Sequence, residues 1–351
     1  MIKEVFSKSK KRILFVVDVR NWSYDDRAKK WKAMLSGEFA IDIIYLAEKE
    51  AVRVGHGLIR LIKQYQSDSL DGVPICADEL LDSRNASLYK TARPGPMFDH
   101  AKYDGIYFFY HRALCDSRLL DTPIPMRKIG VAINNEKWLD KTAEVEFSDY
   151  MRGVKVITGC NLNIVNIFSK FNPNIVRVSQ CVDNKVFFQQ RKSFVSTRSG
   201  TNLVVGWSGA KNNVIKNLPM VKEACAKAGV KLLIASDLNR HELNLWYNKL
   251  DAVVCASKSE GGPLMLLEAG AIGIPVISTP VGLSREIIVD NETGLVADWD
   301  SNSICKAINK LAADDSLRRR LGKNLQDEVL RRWTYRARIF EIEEALRVLV
   351  S

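Results

Sequence analysis

The sequence predicts an α/β protein built from two doubly wound parallel-sheet domains. Three observations carry this. The chain has 351 residues, enough for two domains at roughly 100–200 residues each. Short continuous apolar runs alternate with helix-patterned segments, as in strands buried on both faces and joined by helical crossovers. The series also occurs twice, with a polar, unpatterned joint at QQRKSFVSTRSGTN (189–202) between the copies.

In the first copy, RILFVVDV (12–19) is the opening strand. RAKKWKAMLSGEF follows as a helix beginning near Ala28, with Ala28, Trp31, Met34 and Leu35 on one side. IDIIYLA (41–47), GIYFFY (105–110), KIGVAI (128–133) and VKVIT (154–158) are further strands, and NLNIVNIFSKF (161–171) is a helix. NIVRVSQCVD closes this half. The second copy runs NLVVGWS (strand), VIKNLPMVKEACAKAG (one helix), VKLLIAS (strand), RHELNLWYNKL (helix) and DAVVCAS (strand), and three helical segments finish the chain. The domains are expected at 1–188 and 189–335, with 336–351 a terminal helix.

The composition is ordinary for a globular chain, 46% hydrophobic and 26% charged. The net charge of +11 is spread: residues 1–180 hold 28 Lys+Arg against 22 Asp+Glu, and the rest hold 24 against 19. Diffuse positive charge favours anionic partners without choosing among them. No aromatic and basic nucleic-acid module is present, so no nucleic-acid partner is expected. The sharpest cluster, Lys8, Lys10, Lys11 and Arg12, reads as a solvated tail or as a peripheral contact with anionic lipid. Seven scattered cysteines without a C-x-x-C pair read as reduced, buried thiols. MIKEVFSKSKKR is too polar for a signal peptide and no apolar run reaches 18 residues, so a cytoplasmic location is expected. The histidines are isolated and no metal site is expected. Asp298-Trp299-Asp300 spells D-x-D, but Asp300 is better placed as the cap of a helix starting near Asn302.

The stretch that asks for an explanation is SEGGPLMLLEAGAIGIPVIS, Ser259 to Ser278. Gly261 and Gly262 permit close backbone approach. Pro263 suits a helix start, which leaves the amides of Leu264 and Met265 free. Free amides and the helix dipole make a phosphate site, or simply an ordinary strand–loop–helix corner. Glu268 falls inside an apolar helix, where a carboxylate needs donors. Backbone amides or a basic side chain provide them, or a vicinal diol such as a ribose does. Glu260 lies in the loop at a strand's carboxyl end, where ligands of such sheets bind.

Together, Glu260 and Glu268 have the E-x7-E spacing, and the whole stretch resembles the donor site of family-4 (group 1) retaining glycosyltransferases. NLVVGWSGAKNNVIKNL, WYNKLDAVVCAS and TPVGLSREIIVDNETGLVAD resemble the segments around that site, so the likeness covers about residues 202–300. The resemblance implies the GT-B fold: two Rossmann-like domains facing a cleft, with the last helix crossing back onto the first. It implies transfer of a sugar from a nucleotide-diphosphate sugar, with no metal or other cofactor, to a carbohydrate, glycolipid or protein acceptor. By position, Glu268 would bind the ribose and Glu260 would face the donor sugar. Lys216, with Lys211 as rival, would meet the diphosphate beside Ser208, Gly209 and the amides of Leu264 and Met265. Base contacts would come from around Ser236 and Asp237.

Two departures stand out. DVRNWSYDDR replaces the Gly-Gly loop usual after the first strand, leaving Arg20, Asn21 and Asp25 for the acceptor side or for capping the first helix. Asn134 and Asn135 stand where many members have a catalytic His. An Asn can bind the donor sugar but cannot exchange a proton, which opens the reading of a non-catalytic sugar-binding relative; another GT-B enzyme, such as a nucleotide-sugar epimerase, is a further alternative. His111, after GIYFFY, is a further cleft candidate or a packed side chain.

Overall fold

The computed structural model describes residues 9–19, 23–47, 100–109, 125–136, 151–190 and 202–351. Their strands form two all-parallel sheets. The first contains β1 (Lys11–Val19), β2 (Phe39–Ala47), β3 (Gly105–Phe108), β4 (Ile129–Ile133), β5 (Val156–Gly159) and β6 (Ile175–Arg177), in the order β2-β1-β3-β4-β5-β6. The second contains β7 (Val204–Ser208), β8 (Lys231–Ala235), β9 (Ala252–Cys255), β10 (Val276–Ser278) and β11 (Leu295–Val296), in the order β11-β10-β9-β7-β8. The strand order therefore reverses between β1 and β3 in one sheet and between β7 and β9 in the other. Such reversals open a crevice at the carboxyl ends of the strands.

The helices are α1 (Ser23–Met34), α2 (Leu162–Phe168), α3 (Leu218–Ala228), α4 (Arg240–Tyr247), α5 (Leu264–Ile272), α6 (Ser284–Ile287), α7 (Ser301–Ala313), α8 (Asp315–Arg332) and α9 (Tyr335–Val350). α5 is buried from Met265 to Ile272, consistent with its apolar sequence. It sits between β9 and α8, with Gly270 admitting Val329 and Leu325 of α8. α9 returns to the first sheet: Tyr335, Ile342, Ala345, Leu346 and Leu349 join Ile13, Phe15, Tyr107 and Val156 in one core. Each large aliphatic side chain buried there contributes about 1.5–3 kcal/mol. Gly105 makes room, since a Cβ there would lie 2.6 Å from the Leu349 side chain. The two crossing segments are tied by Val182 N–H to the Trp333 carbonyl at 2.9 Å.

Four local expectations need correction. α1 begins at Ser23, not near Ala28, because Asp25 and Asp26 favour a first helical turn through the helix dipole. Met34 is exposed on that helix, while Trp31 and Leu35 are buried. The segment 214–228 is not one helix. A 3-10 turn at Val214–Lys216 ends at Asn217 (φ 53°), and α3 then starts afresh. Pro219 is the reason: in a continuous helix its ring would strike the carbonyl of Ile215, and that carbonyl instead accepts from Lys258 N–H at 2.8 Å. Finally, the described part of the basic cluster is not a free tail. Lys10 donates to the Ser36 carbonyl, Lys11 pairs with Asp104 and Arg12 with Asp42. Lys8 lies outside the described residues. Among those residues no helix is long and apolar enough to cross a membrane.

Candidate functional site

The quoted stretch lies at the β7/β9 reversal. Ser208 ends β7, Gly209 follows it, and Ser257 to Pro263 lie in the link from β9 to α5. Gly209 has φ +154°, where side chains are rare, and a Cβ there would press on Trp207 at 3.2 Å. The backbone thus passes close beneath Lys216, whose carbonyl accepts from Trp207 Nε1–H at 3.2 Å. Pro263 directly precedes α5 in extended geometry. The helix's first amides, Leu264 and Met265, have no carbonyl a turn earlier to bond.

Lys216 and Glu260 form an ion pair, Nζ to Oε1 at 2.6 Å, and Ser257 Oγ donates to the same oxygen at 2.8 Å. Glu260 is 7% exposed. Burial works against the Lys216 ammonium, but the charge and hydrogen bond of Glu260 outweigh it and hold the lysine pKa above its ordinary value. Lys211, its rival, is exposed on the surface. Ser257 is itself fixed, its carbonyl accepting from Thr279 Oγ1 at 2.8 Å and Trp299 Nε1 at 3.0 Å.

Glu268 is buried, but its partner is not among those its sequence suggests. Tyr247, in the last turn of α4, donates its hydroxyl to Oε2 at 2.9 Å. Tyr247 also meets Ser208 Oγ at 3.0 Å. With the phenol proton given to Glu268, Ser208 is the donor to Tyr247, making a chain Ser208 to Tyr247 to Glu268. Oε1 has no hydrogen-bond partner among the described residues. Burial pushes the Glu268 pKa up, opposed by the Tyr247 hydrogen bond and by the charges of Arg240 and Lys216. Burial, then the Glu268 charge, pushes the Tyr247 phenol well up. Ser236 and Asp237 follow β8, with Ser236 Oγ on Asp237 Oδ2 at 3.0 Å and Asp237 left-handed at φ 62°.

The first sheet closes over this loop. A Cβ on Gly261 would lie 1.9 Å from the Asn134 carbonyl oxygen and 2.5 Å from Cys160 Sγ. One on Gly262 would lie 2.4 Å from Gln180 Cγ. Asn161 Nδ2 donates to the Gly261 carbonyl at 2.9 Å and Ser259 Oγ to Asn135 Oδ1 at 3.0 Å. Ion pairs Asp26–Arg240, Glu136–Arg285 and Arg177–Glu286 flank these contacts. The Asn134 amide is already engaged: Nδ2 donates to the Phe109 carbonyl at 2.8 Å, and Oδ1 accepts from Arg27 Nη2 at 3.2 Å. Asp25 is fully buried in the first turn of α1 and pairs with Lys29. Arg20, Asn21 and His111 lie outside the described residues. Asp300 caps α7 through the amides of Asn302 and Ser303, so it serves the helix that follows.

The sequence reading did not find Tyr247, Ser257, Arg27 or the Asn161–Gly261 contact. Tyr247 sits in an ordinary amphipathic helix. Ser257 is three residues from Glu260 in an unpatterned loop, and Arg27 and Asn161 meet their partners across 107 and 100 residues, where sequence spacing carries no signal.

Comparisons with known proteins follow the same division. Residues 185–328 match the family model described as Glycosyl transferases group 1. Over 120 residues the chain is 28% identical to a D-inositol 3-phosphate glycosyltransferase of Xylanimonas cellulosilytica, covering 34% of this chain and 28% of that one. Over 80 residues it is 35% identical to the capsular polysaccharide biosynthesis glycosyltransferase CapM of Staphylococcus aureus, covering 22% and 21%. The matched stretch is thus a minor part of each relative. Whole-chain likeness appears in structure. Sucrose-phosphate synthase from Thermosynechococcus elongatus superposes with a TM-score of 0.72 at 15% identity, over 97% of this chain and 99% of that one. Anabaena HepE, in complex with UDP-glucose, gives 0.62 at 14% identity over 96% and 99%. The chain has the GT-B fold, and its residues 185–328 resemble the Glycosyl transferases group 1 family.

Proposed function

We propose that this protein is a retaining, metal-independent glycosyltransferase of family 4. It would move a sugar from a nucleotide-diphosphate sugar to a carbohydrate, lipid or protein acceptor in glycoconjugate or polysaccharide synthesis. The observation that carries the reading is the convergence, at the β7/β9 reversal, of the Lys216–Glu260 pair, the start of α5 and Glu268. The curated relatives, named as glycosyltransferases, point the same way.

In this reading the donor diphosphate lies between Lys216 and the amides of Leu264 and Met265, under Gly209. When the bond from the anomeric carbon to the diphosphate oxygen breaks, its electron pair stays with the diphosphate, the acceptor oxygen bonds to that carbon, and the acceptor proton passes to the departing diphosphate. The Lys216 ammonium and the positive end of α5 stabilise that charge in a site already oriented to receive it. Glu260 anchors Lys216 before the donor arrives and then meets the sugar hydroxyls. Glu268 Oε1 takes a ribose hydroxyl, while Tyr247 holds Oε2. The base lies near Ser236 and Asp237, and the acceptor binds on the first-sheet side, near Asp25. Asn134 positions rather than reacts: its side-chain amide is committed to Phe109 and Arg27, and its carbonyl seats Gly261. Parting and closing of the two domains would admit substrates and exclude water.

The test begins with thermal shifts against UDP, GDP, ADP and their sugars, since a bound ligand raises the melting temperature. One nucleotide series should stand out. With that donor, Glu260→Ala and Lys216→Ala should abolish sugar transfer to an acceptor panel while the proteins remain folded. Full activity in both variants would overturn the assignment. Donor binding without transfer or donor hydrolysis would favour a non-catalytic sugar-binding protein. A changed donor sugar without added acceptor would favour an epimerase.

A further inference from the structure

Among the described residues, Arg27 is a buried cation near the site that the proposed reaction does not use. It stands on α1, 2% exposed. Its guanidinium lies 4.9 Å from the Trp31 ring centroid, 5.1 Å from Tyr24 and 5.4 Å from Phe109. One hydrogen bond is made, from Nη2 to Asn134 Oδ1 at 3.2 Å. Nε and Nη1 are buried and have no hydrogen-bond partner among the described residues. No carboxylate pairs with Arg27 among the described residues. The nearby acids are used elsewhere, Asp25 by Lys29 and Asp26 by Arg240.

An arginine keeps its charge when buried, and a buried charge without a counter-ion is destabilising. Aromatic faces and one neutral amide offset only part of the lost hydration. The charge also sits beside the site. The residue that holds Nη2, Asn134, presses its carbonyl on Gly261, next to Glu260. Each edge of the guanidinium, Nε with Nη2 and Nη1 with Nη2, carries one of these N–H groups, and such an edge matches a carboxylate or a phosphate.

We propose that Arg27 pairs with an oxyanion, a carboxylate or a phosphate, carried by the acceptor sugar on the first-sheet side of the cleft. This rests on the glycosyltransferase reading above. In the closed arrangement the guanidinium is sealed, so the acceptor enters with the domains parted. Asn134 then holds one edge of the fork while the oxyanion takes the other.

The test uses the full chain and melting temperature. Glucuronate, glucose 6-phosphate and neutral glucose are compared at equal ionic strength, with and without the nucleoside diphosphate that binds. At least one of the two anionic sugars should raise the wild-type melting temperature, and glucose should not. Which of them acts distinguishes carboxylate from phosphate. Arg27→Met should keep the nucleotide shift, lose the oxyanion shift, and melt no lower than wild type, since it removes an unpaired buried charge. Arg27→Lys, which keeps the charge and loses the fork, should weaken the oxyanion shift. The proposal is overturned if neither anionic sugar outperforms glucose on the wild type, or if Arg27→Met responds as the wild type does. A wild-type oxyanion response without any nucleotide response would instead sink the glycosyltransferase reading and leave an anionic-sugar site.

Discussion

Replacing Lys216 by methionine separates the anchoring role of the Lys216–Glu260 pair from its role in the reaction. At 2.6 Å, two unit charges attract by about 6 kcal/mol at an effective dielectric near 20. Desolvation offsets part of this, and losing one partner of such a buried pair costs about 3–5 kcal/mol. The Lys216→Met loss should therefore be about 3–5 kcal/mol, reduced by whatever Ser257 Oγ still supplies. At about 2–4 °C per kcal/mol, the transition of the second domain should fall by about 6–20 °C. The assay is calorimetry on four proteins: wild type, Lys216→Met, Glu260→Gln and the double variant. The double variant has no stranded charge and should recover most of the stability without recovering sugar transfer. A coupling energy near zero in this cycle would refute the claim that Glu260 holds Lys216 in place. Transfer by the double variant would refute its role in the reaction.

Other outcomes follow from the same geometry. Glu268→Gln should stabilise the free protein at neutral pH while weakening nucleotide binding. The folded pKa of Glu268 is raised, so its contribution to stability is fully present below the unfolded carboxylate value, about 4.3, and is lost as pH rises through the folded value. The melting-temperature gap between variant and wild type should therefore open as pH rises above about 4.3, and an unchanging gap would contradict it. For Lys216, also raised, the stabilisation persists below about pH 10.4 and is lost only as pH climbs through the higher folded value. Alkaline titration should unfold Lys216→Met with a shallower dependence there than wild type. Tyr247→Phe removes the only hydrogen bond Glu268 has among the described residues. It should cost about 1–3 kcal/mol in chemical denaturation and raise the nucleotide Kd. Gly261→Ala places a Cβ against the Asn134 carbonyl, a backbone group that cannot swing away. Transfer should be lost with each domain still folded, and small-angle scattering should show a more open particle. A compact, active variant would mean that closure does not use this contact.

Much of the architecture is legible in the sequence because buried parallel strands are written as continuous apolar runs. RILFVVDV and DAVVCAS need no tertiary information to be read as interior strands. Helix ends were less legible. Pro219 divides the segment after Gly209, and two aspartates start α1 a turn early. In the site, Glu260, Lys216 and Glu268 stand out through spacing and through a carboxylate in an apolar helix. Tyr247, Arg27 and Asn161 do not, since each meets its partner across 21, 107 and 100 residues of chain. Tyr247 satisfies one oxygen of Glu268, while the other has no partner among the described residues.

By itself, then, the sequence determined the two parallel sheets, the strand–loop–helix corner at Ser257–Ile272 and the acidic pair placed on it. These follow from hydrophobic period, turn residues and short-range spacing, all local properties. Only the tertiary structure decided which groups compensate the buried charges, and that Asn134 seats Gly261 instead of offering a reactive side chain. It also decided that Arg27 is left with two donors unpaired among the described residues. Those outcomes depend on how two separately folded sheets approach each other, because the energy of a buried charge is set by neighbours that chain order does not reveal.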